Sequence, residues 1–358
     1  MTGTIIGSMP DTMMLALIGL FGGVILGLAA RLGRFCTLGA IEDYVYQNNS
    51  ARLRMWWLAI GVAGLGSFGL IGVGALDPSQ TIYHLAPWSP AFGVLGGLMF
   101  GYGMALAGNC GFGALARFGG GDLRSFVIVV VMGISTYFAL SGPLAQLRIA
   151  GLALTDMPTE IRSYPGALSA VTGIPALAWG LIISAAITAG ALWSRDFIGK
   201  PRAVIWGALV GAAIVSGWAG TQWVADTGFS AAPVNSHTFT SPLGESLLFL
   251  MTSSGGGLTF GVGSVAGVLL GAFTGSLIKG QFRWEACEDP RELKRQVLGA
   301  IFMGVGAALA MGCTIGQGIS AFSLLTLNAP IVFASIFAGA ALGLRQLISG
   351  LTFGRIGL

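Results

Sequence analysis

Several long stretches of this chain contain no Asp, Glu, Lys or Arg, among them residues 55–76, 78–116, 125–147, 163–194, 203–225, 246–278 and 296–344. A helix needs roughly 20 apolar residues to cross about 30 Å of hydrocarbon. Most of these runs therefore hold one crossing, and the two longest hold a crossing plus further chain. Only 9% of the 358 residues are charged, where a soluble domain carries about 25%. The chain reads as an all-α polytopic membrane protein. A transmembrane β-barrel would show alternating segments of about ten residues, and these runs are continuous.

Crossings are expected near 12–33, 54–74, 91–108, 125–142, 175–193, 203–221, 257–278, 296–311 and 329–346, about nine in all. Basic residues cluster in alternate connections. Arg31, Arg34, Arg52 and Arg54 follow the first crossing, Arg117 and Arg124 the third, and Arg195, Lys200 and Arg202 the fifth. Lys279, Arg283, Arg291, Lys294 and Arg295 follow the seventh, and Arg345 and Arg355 the ninth. The positive-inside bias then puts the N-terminus outside and the C-terminus in the cytoplasm. The net charge of +4 implies no nucleic-acid partner, since in a membrane protein the placement of Lys and Arg says more than their sum; the partner that the apolar runs imply is the lipid bilayer. No basic segment followed by a cleavage site marks a removable signal peptide.

Within this frame a twenty-residue stretch occurs twice. Residues 94–113 read VLGGLMFGYGMALAGNCGFG and residues 297–316 read VLGAIFMGVGAALAMGCTIG, with ten of twenty positions identical. A cysteine falling on a cysteine, Cys110 on Cys313, is the persuasive match in a chain with only four. The two copies read as pseudo-equivalent halves, about 12–142 and 203–346, linked by 143–202 within one transport domain. Under the expected topology the copies run in opposite directions, which is an inverted repeat with its site at the repeat interface. A shorter likeness, GGVILG at 22–27 and AGVLLG at 266–271, would instead point the same way in both halves.

The chain has 59 glycines, and they crowd around the thiols, as in Gly108-Asn109-Cys110-Gly111 and Gly312-Cys313-Thr314. Close packing through small residues spaced by four is one reading. Helices that break at membrane depth, giving short re-entrant segments, are the other, and are tolerated only inside protein or beside a water-filled cavity. Glycines at intervals of one or two favour the break. A third thiol, Cys36, stands beside Arg34 at the inner end of the first crossing. Cys287, in FRWEACEDPRELKR, is expected in a surface loop.

These residues resemble the YeeE/YedE family of bacterial sulfur transporters. The resemblance rests on GRFCTLGAIEDY at 33–44, GNCGFGALARFGGGDLRS at 108–125 and GCTIGQGISAFSLLTL at 312–327. It implies uptake of thiosulfate or a related sulfur anion across the bacterial inner membrane, with thiols at Cys36, Cys110 and Cys313. It also implies a small cytoplasmic sulfur-carrier protein as a partner. No cofactor, no metal and no enzymatic activity are expected.

The chemistry suits the residues. Burying an unpaired dianion costs tens of kcal/mol by a Born estimate, so a path must replace water with fixed donors. Broken helices offer backbone N–H groups, and Arg34, Arg117 and Arg124 add attraction near the cytoplasm. The expected binding and translocation residues are Cys36, Cys110, Cys313, Arg34, Asn109, Gly111, Gly312, Thr314, Gln317 and Arg117. A thiol is a weak donor, and thiosulfate's terminal sulfur a weak acceptor, so S–H···S contacts would form shallow stepping stones. A covalent route needs a thiolate, and only Cys36 has a nearby cation. Other readings stay open: a membrane sulfurtransferase passing persulfide to a carrier, a carrier of selenite or sulfite, or a structural subunit. No ionisable residue is expected at mid-span, and His84 and His237 are expected as isolated residues of exterior loops.

Overall fold

The computed structural model describes residues 10–157, 159, 161–228, 233–253, 257–286 and 289–349; Cys287 and Arg355 lie outside the described residues. Fourteen helices of eight residues or more make up the described fold. They are α1 (Asp11–Leu32), α2 (Thr37–Gln47), α3 (Ala51–Gly72), α4 (Pro90–Ala107), α5 (Gly111–Phe118), α6 (Leu123–Leu140) and α7 (Ala145–Thr155). Then follow α8 (Tyr164–Thr172), α9 (Ala176–Leu192), α10 (Pro201–Thr227), α11 (Ser241–Thr252), α12 (Phe260–Ile278), α13 (Pro290–Ala310) and α14 (Asn328–Ser349). No strand occurs among the described residues.

Eight helices, α1, α3, α4, α6, α10, α12, α13 and α14, are long and apolar enough to cross a membrane. The crossing expected at 175–193 is α9, a shorter apolar helix of 17 residues, about 25 Å long at 1.5 Å per residue. Several starts are fixed by ordinary capping, in which a side-chain oxygen takes an N–H that the first turn leaves free. Ser89, Asp122, Thr259 and Asp289 do this for α4, α6, α12 and α13. Pro90, Pro201 and Pro290 each open a helix, where the missing N–H costs nothing.

The two copies of the repeat lie against each other. A Cβ placed on Gly103 would meet the Gly299 carbonyl at 2.5 Å, and one placed on Gly306 would meet the Gly96 carbonyl at 2.7 Å. Low numbers on α4 face high numbers on α13, so the pair is antiparallel. Gly103 corresponds to Gly306 in the repeat, and Gly96 to Gly299, so each contact is the symmetry mate of the other. Lipid tails supply no hydrophobic drive between helices, and close backbone approach through small residues replaces it.

The shorter likeness has a different origin. Gly23 faces Ser264 and Gly267, Gly27 faces Val268 and Ala272, and Gly263 faces Ala16. Thus α1 and α12 run parallel, and GGVILG and AGVLLG are packing partners, not equivalents. The pattern continues around the molecule: α10 packs along α3 as α1 packs along α12, and α14 along α4 as α6 along α13. Gly101 approaches Ile336 and Ala340, while its repeat mate Gly304 approaches Met132 and Thr136.

Candidate functional site

Three helix breaks build the site, and each follows one rule. Two residues before each thiol the backbone turns left-handed: Arg34 (φ 56°) before Cys36, Gly108 (φ 78°) before Cys110, and Met311 (φ 57°) before Cys313. Such a residue ends a helix. The next residues then start a new one, so Cys36 caps α2 and Cys110 caps α5. Cys313 precedes a single π-type turn at Gly316–Ala321.

The glycines after the thiols supply donors. Gly113 N–H donates to Cys110 Sγ at 3.4 Å, and its repeat mate Gly316 N–H to Cys313 Sγ at 3.4 Å. Phe239 N–H donates to Cys313 Sγ at 3.3 Å. Each sulfur also has a threonine beside it: Thr37 Oγ1 at 4.0 Å from Cys110 Sγ and Thr238 Oγ1 at 3.7 Å from Cys313 Sγ. The freed amides are thus engaged by the thiols themselves. Among the described residues, no charged group is bonded to either sulfur.

The two breaks fold back toward a common point. Cys110 lies within electrostatic range of both Cys36 and Cys313, and Thr314 turns its hydroxyl toward Cys110 Sγ. That hydroxyl reaches no full hydrogen-bond geometry with any partner. Gly111 has no side chain because a Cβ there would meet Met132 Sδ at 2.7 Å and the Phe239 carbonyl at 3.2 Å. Phe112 and Phe239 close the junction, with ring centroids 5.2 Å apart. Cys110 and Cys313 are each 1% exposed.

Ten residues were expected at the site, and they fall into three zones. Cys36, Arg34, Asn109 and Arg117 line one cavity of about 340 Å³. Cys110, Gly111, Gly312, Cys313 and Thr314 form the buried junction. Gln317 lines a narrow cavity of about 30 Å³ on the other side, with Tyr83, Trp88 and Arg162. Its amide nitrogen donates to the Ala310 and Met311 carbonyls at 3.1 and 3.0 Å, tying off the end of α13. Asn109 Oδ1, Thr314 Oγ1 and Gln317 Oε1 are buried without partners. Such orphans are rare in native structures, and three of them here border the thiols.

The larger cavity is strongly basic. Arg31, Arg34, Arg52, Arg117 and Lys279 line it, against the single acid Glu42. Arg52 is paired with Asp43 at 3.2 Å; among the described residues, Arg34, Arg117 and Lys279 join no ion pair. Burial, then the charges of Arg34, Arg31 and Arg202, hold the Lys279 ammonium below its ordinary range. An anion in the cavity would relieve that crowding.

Arg124 is not available for this purpose. It is held by Asp122, Glu285 and Glu292 at 3.3, 3.6 and 3.9 Å. Nor is His237 a surface residue: it is 0% exposed, its Nδ1 lies 2.6 Å from Ser264 Oγ, and its ring occupies the notch at Gly22. Thr37, Thr238, Phe239 and Lys279 were missed at the site. The Phe239 contact spans 74 residues, and no local pattern carries it.

Paired broken helices, buried thiols and a basic cavity in a helical membrane protein are features that suit transport of an anion. The chain belongs to the sulphur transport family, whose description matches residues 32–342. It is similar to the thiosulfate transporter TsuA of Escherichia coli K12, at 29% identity over 331 residues covering 86% of this chain and 88% of the relative. It is also similar to the thiosulfate transporter TsuA of Spirochaeta thermophila, at 25% identity over 329 residues covering 89% and 94%.

Proposed function

We propose that the protein carries thiosulfate, or a closely related sulfur anion, inward across a bacterial inner membrane, past Cys313, Cys110 and Cys36 in turn. The reading has the N-terminus outside, the C-terminus in the cytoplasm and two inverted halves. The single observation that carries it is the alignment of three thiols at three equivalent helix breaks, two of them buried together at one junction. Neutral S–H groups offer contacts of modest depth, and conduction needs several weak sites instead of one deep one. Sulfate lacks a soft sulfur terminus, so such a path favours thiosulfate. The basic cavity then receives the anion at the inner end.

The lack of a charged group on Cys110 or Cys313 speaks for non-covalent passage over a persulfide relay, which requires an activated thiolate. The test is thiosulfate uptake in a strain without other routes, or in vesicles holding only this protein. Cys110→Ala and Cys313→Ala are each expected to abolish accumulation of intact anion. Full uptake in both variants would end the reading, and release of sulfite with sulfur retained on protein would favour the sulfurtransferase.

A further inference from the structure

A second cavity, of about 370 Å³, lies at the opposite end of the molecule from the basic one. Thr12 of α1, Asn235, Thr238, Ser241, Thr259 and Glu245 are among its lining residues, and Glu245 is the one charged group there. Glu245 stands on α11, a 12-residue helix packed between α6 and α12. Its carboxylate accepts from Thr259 Oγ1 at 3.0 Å, and among the described residues it joins no ion pair.

Glu245 is half-buried at the cavity wall, and a carboxylate there with no ion pair is a ready acceptor for a proton. Two further observations tie this group to the path. Thr238 lines the same cavity as Glu245 and lies 3.7 Å from Cys313 Sγ, so the cavity wall reaches the thiol. Asn235, also in the lining, carries a buried Oδ1 with no partner, an acceptor aimed at water in the cavity.

We propose that Glu245 is a proton-binding site on the outer side of the path, and that its loading accompanies passage of the anion past Cys313. The inference rests on the transport reading above. A dianion moving inward opposes a membrane potential that is negative inside. A proton taken up at Glu245 and released inward with the anion reduces the net charge moved from two to one. From α6 the only titratable neighbour is Tyr137, whose ring packs on Gly244. Asp11 of α1 turns to Gly228, and His237 turns away onto Gly22 and Ser264.

The experiment uses the purified protein in liposomes, with equal potassium and valinomycin holding the potential at zero. Radiolabelled thiosulfate entry is measured with and without an acid-outside pH gradient, and exchange at equilibrium is measured separately. The wild type is expected to enter several-fold faster with the gradient. Glu245→Gln is expected to lose that acceleration and to retain exchange. Should Glu245→Gln not fold, Thr259→Val removes a donor to the carboxylate, and the pH of half-maximal acceleration should rise. A wild type indifferent to the gradient, a Glu245→Gln variant still accelerated, a Thr259→Val midpoint left in place, or acceleration by sodium alone would each overturn the proposal. Absence of thiosulfate exchange in the wild type would instead strike the transport reading itself.

Discussion

The backbone N–H of Phe239 donates to Cys313 Sγ at 3.3 Å. A residue 74 positions earlier in the chain therefore aims the thiol, and the sulfur is an acceptor at the same time as it is a weak donor. Gly316 N–H is its second donor.

This gives a stability prediction that separates structure from transport. Cys313→Ala leaves two buried N–H groups without an acceptor, at a cost on the order of 1–3 kcal/mol for each group so orphaned. Cys313→Ser keeps an acceptor in place. The alanine variant should melt lower than the serine variant in detergent, while both lose uptake. Equal melting temperatures would mean that the sulfur holds nothing.

The break before Cys110 depends on Gly108 at φ 78°, where an added Cβ would meet no atom within 4 Å. Gly108→Ala thus isolates backbone strain, about 1–2 kcal/mol for a left-handed residue with a side chain. Gly101→Ala tests packing instead, since its Cβ would lie 2.1 Å from the Ile336 carbonyl. Overpacking typically costs about 1–3 kcal/mol, and here the obstacle is backbone. Thermal unfolding should rank the wild type above Gly108→Ala and Gly108→Ala above Gly101→Ala.

Arg34 and Arg117 face the basic cavity with no ion pair among the described residues. Arg34→Gln and Arg117→Gln should each weaken apparent affinity for thiosulfate presented from the inner side by several-fold at low ionic strength. The difference should shrink at high salt, because screening shortens the reach of exposed charges. Exchange assays at two salt concentrations read this directly.

His84, in the connection before α4, is pushed down to about 4 by burial and by the positive charge of Arg162. The folded protein therefore resists a proton that the unfolded chain accepts near 6.5. Stability from this group is fully present above 6.5 and is lost as pH falls toward 4, at most about 3 kcal/mol by linkage. His84→Gln should flatten the acid limb of the melting temperature against pH. An unchanged limb would assign it to other groups.

Much of this architecture is legible before any coordinates. Charge-free runs mark the crossings because hydrocarbon excludes ions, and the nine expected spans fall on α1, α3, α4, α6, α9, α10, α12, α13 and α14. The breaks at Gly108 and Met311 are legible because glycine-rich sequence cannot sustain a helix there. The half-helices α2 and α11 are not, since an 11- or 12-residue apolar segment beside a crossing has no length signal of its own. GGVILG and AGVLLG mislead in an instructive way: both helices carry small residues spaced by four because they pack on each other. The burial of His237 rests on contacts with Gly22 and Ser264, which are distant in sequence, and Glu245 meets Thr259 across a turn.

The glycine seams have a consequence for how the chain is assembled. Gly103 and Gly299 fill each other's groove, as do Gly306 and Gly96, and α1 finds its closest neighbour in α12. A fragment ending in the middle of the chain would present bare carbonyl-lined furrows to lipid, with nothing narrow enough to occupy them. Severed between α9 and α10, the two pieces should each be degraded when made alone and should find one another when made together.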